Sequence, residues 1–239
     1  MRSPESMNKI PPVRLAGIFY LIIIAGGLFS EIFVRGQLIV AGDVAATATN
    51  LIEQESLYRA GIGASIVFLA CNIPVIWVFY GVFRVFDKPI ARLLVLTFMT
   101  AVIVEVANLR NFLEPLSYLI NAETLVGLTE TQRAALAYSA IQKFNAGFTL
   151  SLGFFGVHCL ILASLILRSG FLPRILGAAL VLAGIGYITN TFTIFCAPQL
   201  RGEFGMFLLL PALIAETSLA LWLLFIGINR KRWVAAAAS

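Results

Sequence analysis

Six long apolar stretches, near 15–34, 58–83, 90–113, 144–167, 172–196 and 204–228, limit what this chain can fold into. Each runs for about 20 residues or more, the length at which an α-helix crosses the ~30 Å hydrocarbon core of a bilayer. Lipid offers no partner to a backbone N–H or C=O, so such stretches form helices that pair these groups internally. With 60% of residues hydrophobic and 12% charged, a soluble domain of this length is excluded. The reading is all-α: a polytopic membrane helical bundle with six transmembrane helices and a short extracytoplasmic helix after the first span. A cytoplasmic tail is expected over 1–13, one membrane domain over 14–229 and a second cytoplasmic tail over 230–239, which leaves no room for a separate soluble domain.

The loop charges alternate in kind. Arg2, Lys9 and Arg14 precede the first span, and Arg84, Lys88 and Arg92 surround the second-to-third turn. Arg168 and Arg174 flank the fourth-to-fifth turn, and Arg230, Lys231 and Arg232 follow the last span. Six crossings put all of these on one side. The other side carries Asp43, Glu53, Glu55, Glu114, Glu123 and Glu130. The positive-inside rule then assigns both termini to the cytoplasm, in a multi-pass protein of the cell inner membrane. The basic residues serve as topology signals. Nucleic acid is not an expected partner, because no basic reading element accompanies them.

Local signals punctuate the loops. Asp43 is placed to cap a helix that starts near 44 and runs toward the second span, with room for a break near Gly61. Thr129 is placed to cap a helix from about 130 that continues into the fourth span. Pro74 removes one backbone bond from the second span and frees the Ala70 carbonyl. Gly170 suits a helix C-terminus, and Pro173 suits the start of the next helix.

Polar residues within the spans are the candidates for function, since an ionised group at mid-bilayer costs about 2.5–3.5 kcal/mol even on gentle scales. They are Glu31, Asn72, Glu105, Asn108, Asn145, His158, Asn190 and Glu216. At about 1.5 Å per residue, Glu31, Glu105, Asn108, Asn145 and Asn190 fall in the outer half of the bilayer. Glu216 and His158 fall near the middle. Glu105, Asn108 and Phe112 share one helix face. Such a set fits either a ligand pocket or interhelical bonding, with Arg110 as a possible partner for Glu31 or Glu105. Glu216 needs a partner at its depth, for which His158, Asn72 and Asn190 are available.

The chemistry is less specific. No HExxH, GxSxG or P-loop pattern occurs. Cys71, Cys159 and Cys196 are far apart with no CxxC, and one histidine with scattered carboxylates is no metal set, so neither metal nor cofactor is expected. The expected function is to bind or move a small lipophilic molecule in a polar-lined pocket within the bundle. The partners are then that molecule and the lipid bilayer. One alternative is an intramembrane lipid-modifying enzyme using His158 with a carboxylate. Another is a non-catalytic sensor or subunit of a complex.

Several motifs run through almost the whole chain. They are Arg14-x-Ala16-Gly17 with Tyr20-Leu21, Gly42-Asp43 with Thr47 and Asn50, and His158-Cys159. Ser169-Gly170-x-Leu172-Pro173-Arg174-x-Leu176-Gly177, Gly184-x-x-Tyr187, and Glu216 before Leu221-Trp222-Leu223 complete the set. In these the chain resembles the bacterial membrane proteins grouped as domain of unknown function 4386. The resemblance implies a multi-span membrane protein and supplies no catalytic residues. It does single out His158 and Glu216.

Overall fold

A computed structural model describes residues 10–120, 125–200 and 205–238. Most of the N-terminal tail, Glu123 and the Arg201-Gly202-Glu203 turn lie outside them. Among the described residues every regular element is helical. Helix α1 is Val13–Leu38. Helix α2 is Val44–Glu53, α3 Glu55–Phe83, α4 Lys88–Ile120, α5 Glu130–Ser169, α6 Arg174–Cys196, α7 Gly205–Phe225 and α8 Arg230–Ala238. Six of these, all but α2 and α8, are long and apolar enough to cross a membrane. The chain is a multi-pass membrane protein.

The caps follow the local chemistry. The Asp43 carboxylate accepts from the Ala46 amide at 2.8 Å and starts α2. Thr129 and Gln132 bond reciprocally, side chain to backbone amide, at 2.8 and 3.3 Å to start α5. This capping box satisfies donors that a helix start leaves open. Gly170 ends α5 at φ +68°, a conformation that costs a residue without Cβ little.

Three boundaries differ from expectation. The break before the second span falls at Gln54, not near Gly61. Gly61 instead lets α1 approach, since a Cβ there would lie 2.9 Å from the Val34 methyls. Helix α4 continues past the expected end at 113, through Pro115, to Ile120. The C-terminal stretch, expected as a tail, folds as α8 and buries Trp233, whose Nε1 donates to the Val82 carbonyl at 3.0 Å.

The contacts form two compact units. One comprises residues up to 22, 71–102 and 149–239. In it, helices α5 and α6 approach through small residues: a Cβ on Gly184 would lie 2.7 Å from the Gly156 carbonyl oxygen. Helices α1 and α7 approach likewise at Gly17 and Ala220. Membrane helices use small residues for this because backbone proximity replaces the hydrophobic drive that lipid removes. Leu96, Ile175 and Phe225 are exposed, as suits side chains that face acyl chains.

The other unit comprises 23–70 and 103–148. Its core joins Val34, Leu38, Leu51, Tyr58, Phe112 and Phe144. Phe112 stacks on Phe144 at 4.6 Å between centroids, and the Tyr58 hydroxyl donates to the Phe112 carbonyl at 2.8 Å.

The Gly156–Gly184 crossing predicts an asymmetry between glycines. Gly184→Val should cost about 1–3 kcal/mol, since a backbone carbonyl cannot yield to the new side chain. Gly63→Ala, with open space around its Cβ, should be neutral or slightly stabilising. Thermal unfolding in detergent distinguishes them; equal midpoints would refute the packing account.

Candidate functional site

The expected polar set divides between the two units. Glu31, Glu105, Asn108 and Asn145 lie in the 23–70/103–148 unit, whereas His158, Asn190 and Glu216 lie in the other.

The first group is organised by Arg35, which the sequence reading did not weigh. Helix α1 widens into a π-helical turn over Phe29–Arg35, where the Gly36 amide bonds back to the Glu31 carbonyl. Such turns are rare and favour functional sites. The Arg35 side chain is only 11% exposed. It pairs with Glu31 on its own helix and donates to Asn145 Oδ1 at 3.2 Å. Its guanidinium lies 5.2 Å from the Phe144 ring centroid and 5.3 Å from that of Phe148. Phe144 and Phe148 are one turn apart on α5 with near-parallel rings, 18° apart, so their faces offer the cation a negative surface.

Glu105 is buried one turn before Asn108 on α4. The Asn108 amide nitrogen donates to the Phe144 carbonyl at 3.0 Å and reaches Glu105 Oε2 at 3.5 Å. Gly147 makes room for it, since a Cβ there would collide with the Asn108 amide. Arg110 pairs with Glu114 at 3.1 Å, not with Glu31 or Glu105.

Arg35, Glu31, Glu105 and Ser65 bound a cavity of about 30 Å³, closed by Phe144 and Phe148 and flanked by Gly27. That is room for one or two water-sized groups. A Cβ on Gly27 would meet nothing within 4 Å, so the approach along α1 is open. The site offers one cation and two carboxylates. Glu31 is its loosest member, with its side chain 57% exposed.

The second group is closed. Glu216 is buried, as a mid-bilayer carboxylate requires, but its partners are not His158, Asn72 or Asn190. The Tyr187 hydroxyl donates to Oε1 at 2.6 Å and the Tyr20 hydroxyl to Oε2 at 3.1 Å. Both tyrosines stand in the motifs that carry the family resemblance, but neither sequence position shows which acceptor its hydroxyl meets. His158 is enclosed by Phe98 and Phe155, at ring distances of 4.7 and 5.5 Å. Its Nδ1 lies 3.2 Å from the Leu94 carbonyl. A carbonyl only accepts, so Nδ1 carries the proton. Asn190 is buried on α6, three residues after Tyr187. No group of three or more metal-ligating side chains occurs among the described residues.

Removing the Glu216 carboxylate leaves two buried hydroxyls without an acceptor. Glu216→Leu should therefore cost about 1–3 kcal/mol, and Glu216→Gln less, because the amide oxygen still accepts. Unfolding midpoints in the order wild type, Gln, Leu are expected; a Leu variant as stable as wild type would overturn the assignment.

A protein of Archaeoglobus fulgidus, described only as an uncharacterized protein, is 27% identical over 169 residues, covering 68% of this chain and 91% of its own. No solved structure matches the chain. The model of domain of unknown function 4386 matches residues 15–227, so the chain belongs to that family.

Proposed function

We propose that this protein binds, and in moving it across or along the membrane carries, a small lipophilic molecule with an acidic head group, and that the head group is received by Arg35. The observation that carries the reading is the mismatch between Arg35 and its partner: the guanidinium is 11% exposed and the Glu31 carboxylate 57%. A ligand carboxylate can replace that of Glu31 without changing the charge of the site, and Glu31 then turns toward solvent. At Arg35 the exchange substitutes one charge-assisted pair for another. The cavity accommodates only the head. The apolar part of the ligand lies along the open flank at Gly27, beside Phe68.

Equilibrium dialysis of the full chain in detergent against radiolabelled laurate tests this. Arg35→Gln should weaken binding at least tenfold. Glu31→Gln should tighten it, because a competitor for Arg35 is gone. Equal binding by wild type and both variants would refute the reading. The enzyme alternative finds no support in His158, whose ring is packed by Phe98 and Phe155 and bonded to a backbone carbonyl.

The distribution of charge supports an inner-membrane placement with both termini and α8 in the cytoplasm, and α2 on the opposite face. In a Cys196→Ser background, Val126→Cys should react with a membrane-impermeant maleimide in intact cells. Lys231→Cys should react only after permeabilisation. The reverse pattern would invert the topology.

A further inference from the structure

Away from the Arg35 site, the unit that contains Glu216 bears a second concavity. It is an apolar groove of about 370 Å³ between α3 and α4, lined by Tyr80, Arg92, Val95 and Leu96. That volume falls in the range of small-molecule sites. Val95 and Leu96 follow Arg92 along α4, so the groove runs from a basic residue at the helix start into apolar surface. Arg92 contributes its aliphatic stem to the wall and is itself exposed, leaving its guanidinium free to reach outward.

The mouth is strongly basic. Arg84 lies with its guanidinium 5.9 Å from the Tyr80 ring centroid. Lys88 is exposed at the first residue of α4. The nearby acid, Asp87, is already committed. One of its oxygens caps α4 through the Ile90 amide at 3.1 Å and the other faces Arg168 at 3.5 Å. Arg84, Lys88 and Arg92 are thus left to meet an anion at the level where helix ends meet lipid head groups.

We propose that this groove is a binding site for an anionic phospholipid, with an acyl chain against Val95 and Leu96 and the phosphate held by Arg84 and Arg92. The occupant follows from charge complementarity. The walls are apolar, the mouth is cationic, and a bilayer supplies molecules that match both. A zwitterionic lipid fills the groove equally well but brings a choline or ethanolamine cation to the same three basic residues.

Native mass spectrometry of the full-length protein in detergent, with equal amounts of phosphatidylglycerol and phosphatidylcholine of matched chains, tests the site. Wild type should retain phosphatidylglycerol in preference, at roughly fivefold per arginine engaged and so up to about 25-fold with both. Arg84→Gln/Arg92→Gln should bring the ratio close to one. Leu96→Trp, which fills the groove and leaves the charges in place, should lower retention of both lipids. Leu96 is 64% exposed, so this variant leaves the core intact. Arg59→Gln, in the other unit, should change nothing. A wild-type ratio near one, or a preference that survives both the arginine and the tryptophan variants, would overturn the proposal.

Discussion

A carboxylate in hydrocarbon must be answered by donors, and the Glu216 side chain obtains two, one from each of two other helices. Tyr20 on α1 and Tyr187 on α6 each take one oxygen. The pairing fixes the rotation of α7 against both neighbours, because neither hydroxyl has a comparable acceptor nearby in an apolar interior. Aromatic packing extends outward from it. Tyr20 meets Phe79 edge-on at 6.3 Å, and Tyr187 meets Phe155 at 5.7 Å. Phe155 and Phe98 in turn enclose His158. Elements from six helices thus depend on one acidic side chain having its two partners. Elsewhere in this unit, where no polar group marks the place, glycines set the spacing.

Arg35 obeys the same constraint with the opposite outcome. Its partners are Asn145, two ring faces and an acid on its own helix that remains half outside. Glu216 is locked by groups on other helices, so exchanging them would disturb the packing. Arg35 is held in part by a neighbour on its own helix that can leave without moving a helix. Both arrangements satisfy a buried charge, but only at Arg35 is one partner exposed enough for the exchange proposed above. The contrast lies in where the partner is anchored, not in how strong the pair is.

The spans and caps were legible in the sequence because their signals are local. Apolar length gives the crossings, and the Asp43, Thr129 and Gly170 signals give the ends. Depth alone grouped Glu31, Glu105, Asn108 and Asn145, but it also put Asn190 with them, which the structure places in the other unit. The partners were not legible, because they depend on which faces of the helices meet. Tyr20 and Tyr187 stand in the recurring motifs with no partner marked for either hydroxyl, and Arg35 stands just after the first apolar run. Gly61 reads as a break, yet serves Val34 as a contact surface. Nothing in FSEIFVR announces a π turn: its residue types suit an ordinary helix, and the departure shows only in bonding such as that of the Gly36 amide to the Glu31 carbonyl, five residues back.

That wide turn has a consequence for the length of the chain itself. A bond spanning five residues instead of four accommodates an extra residue at nearly the same rise. Helix α1 therefore carries slack. Within Phe29–Arg35 a single-residue deletion can close the turn to ordinary α geometry and leave the flanking halves in register. The same deletion in α6 or α7 would rotate everything beyond it by about 100°, since 3.6 residues complete a turn. Among the described crossings the first is thus the one whose backbone has room for a change of length, and the residues that would absorb it are those that hold Arg35.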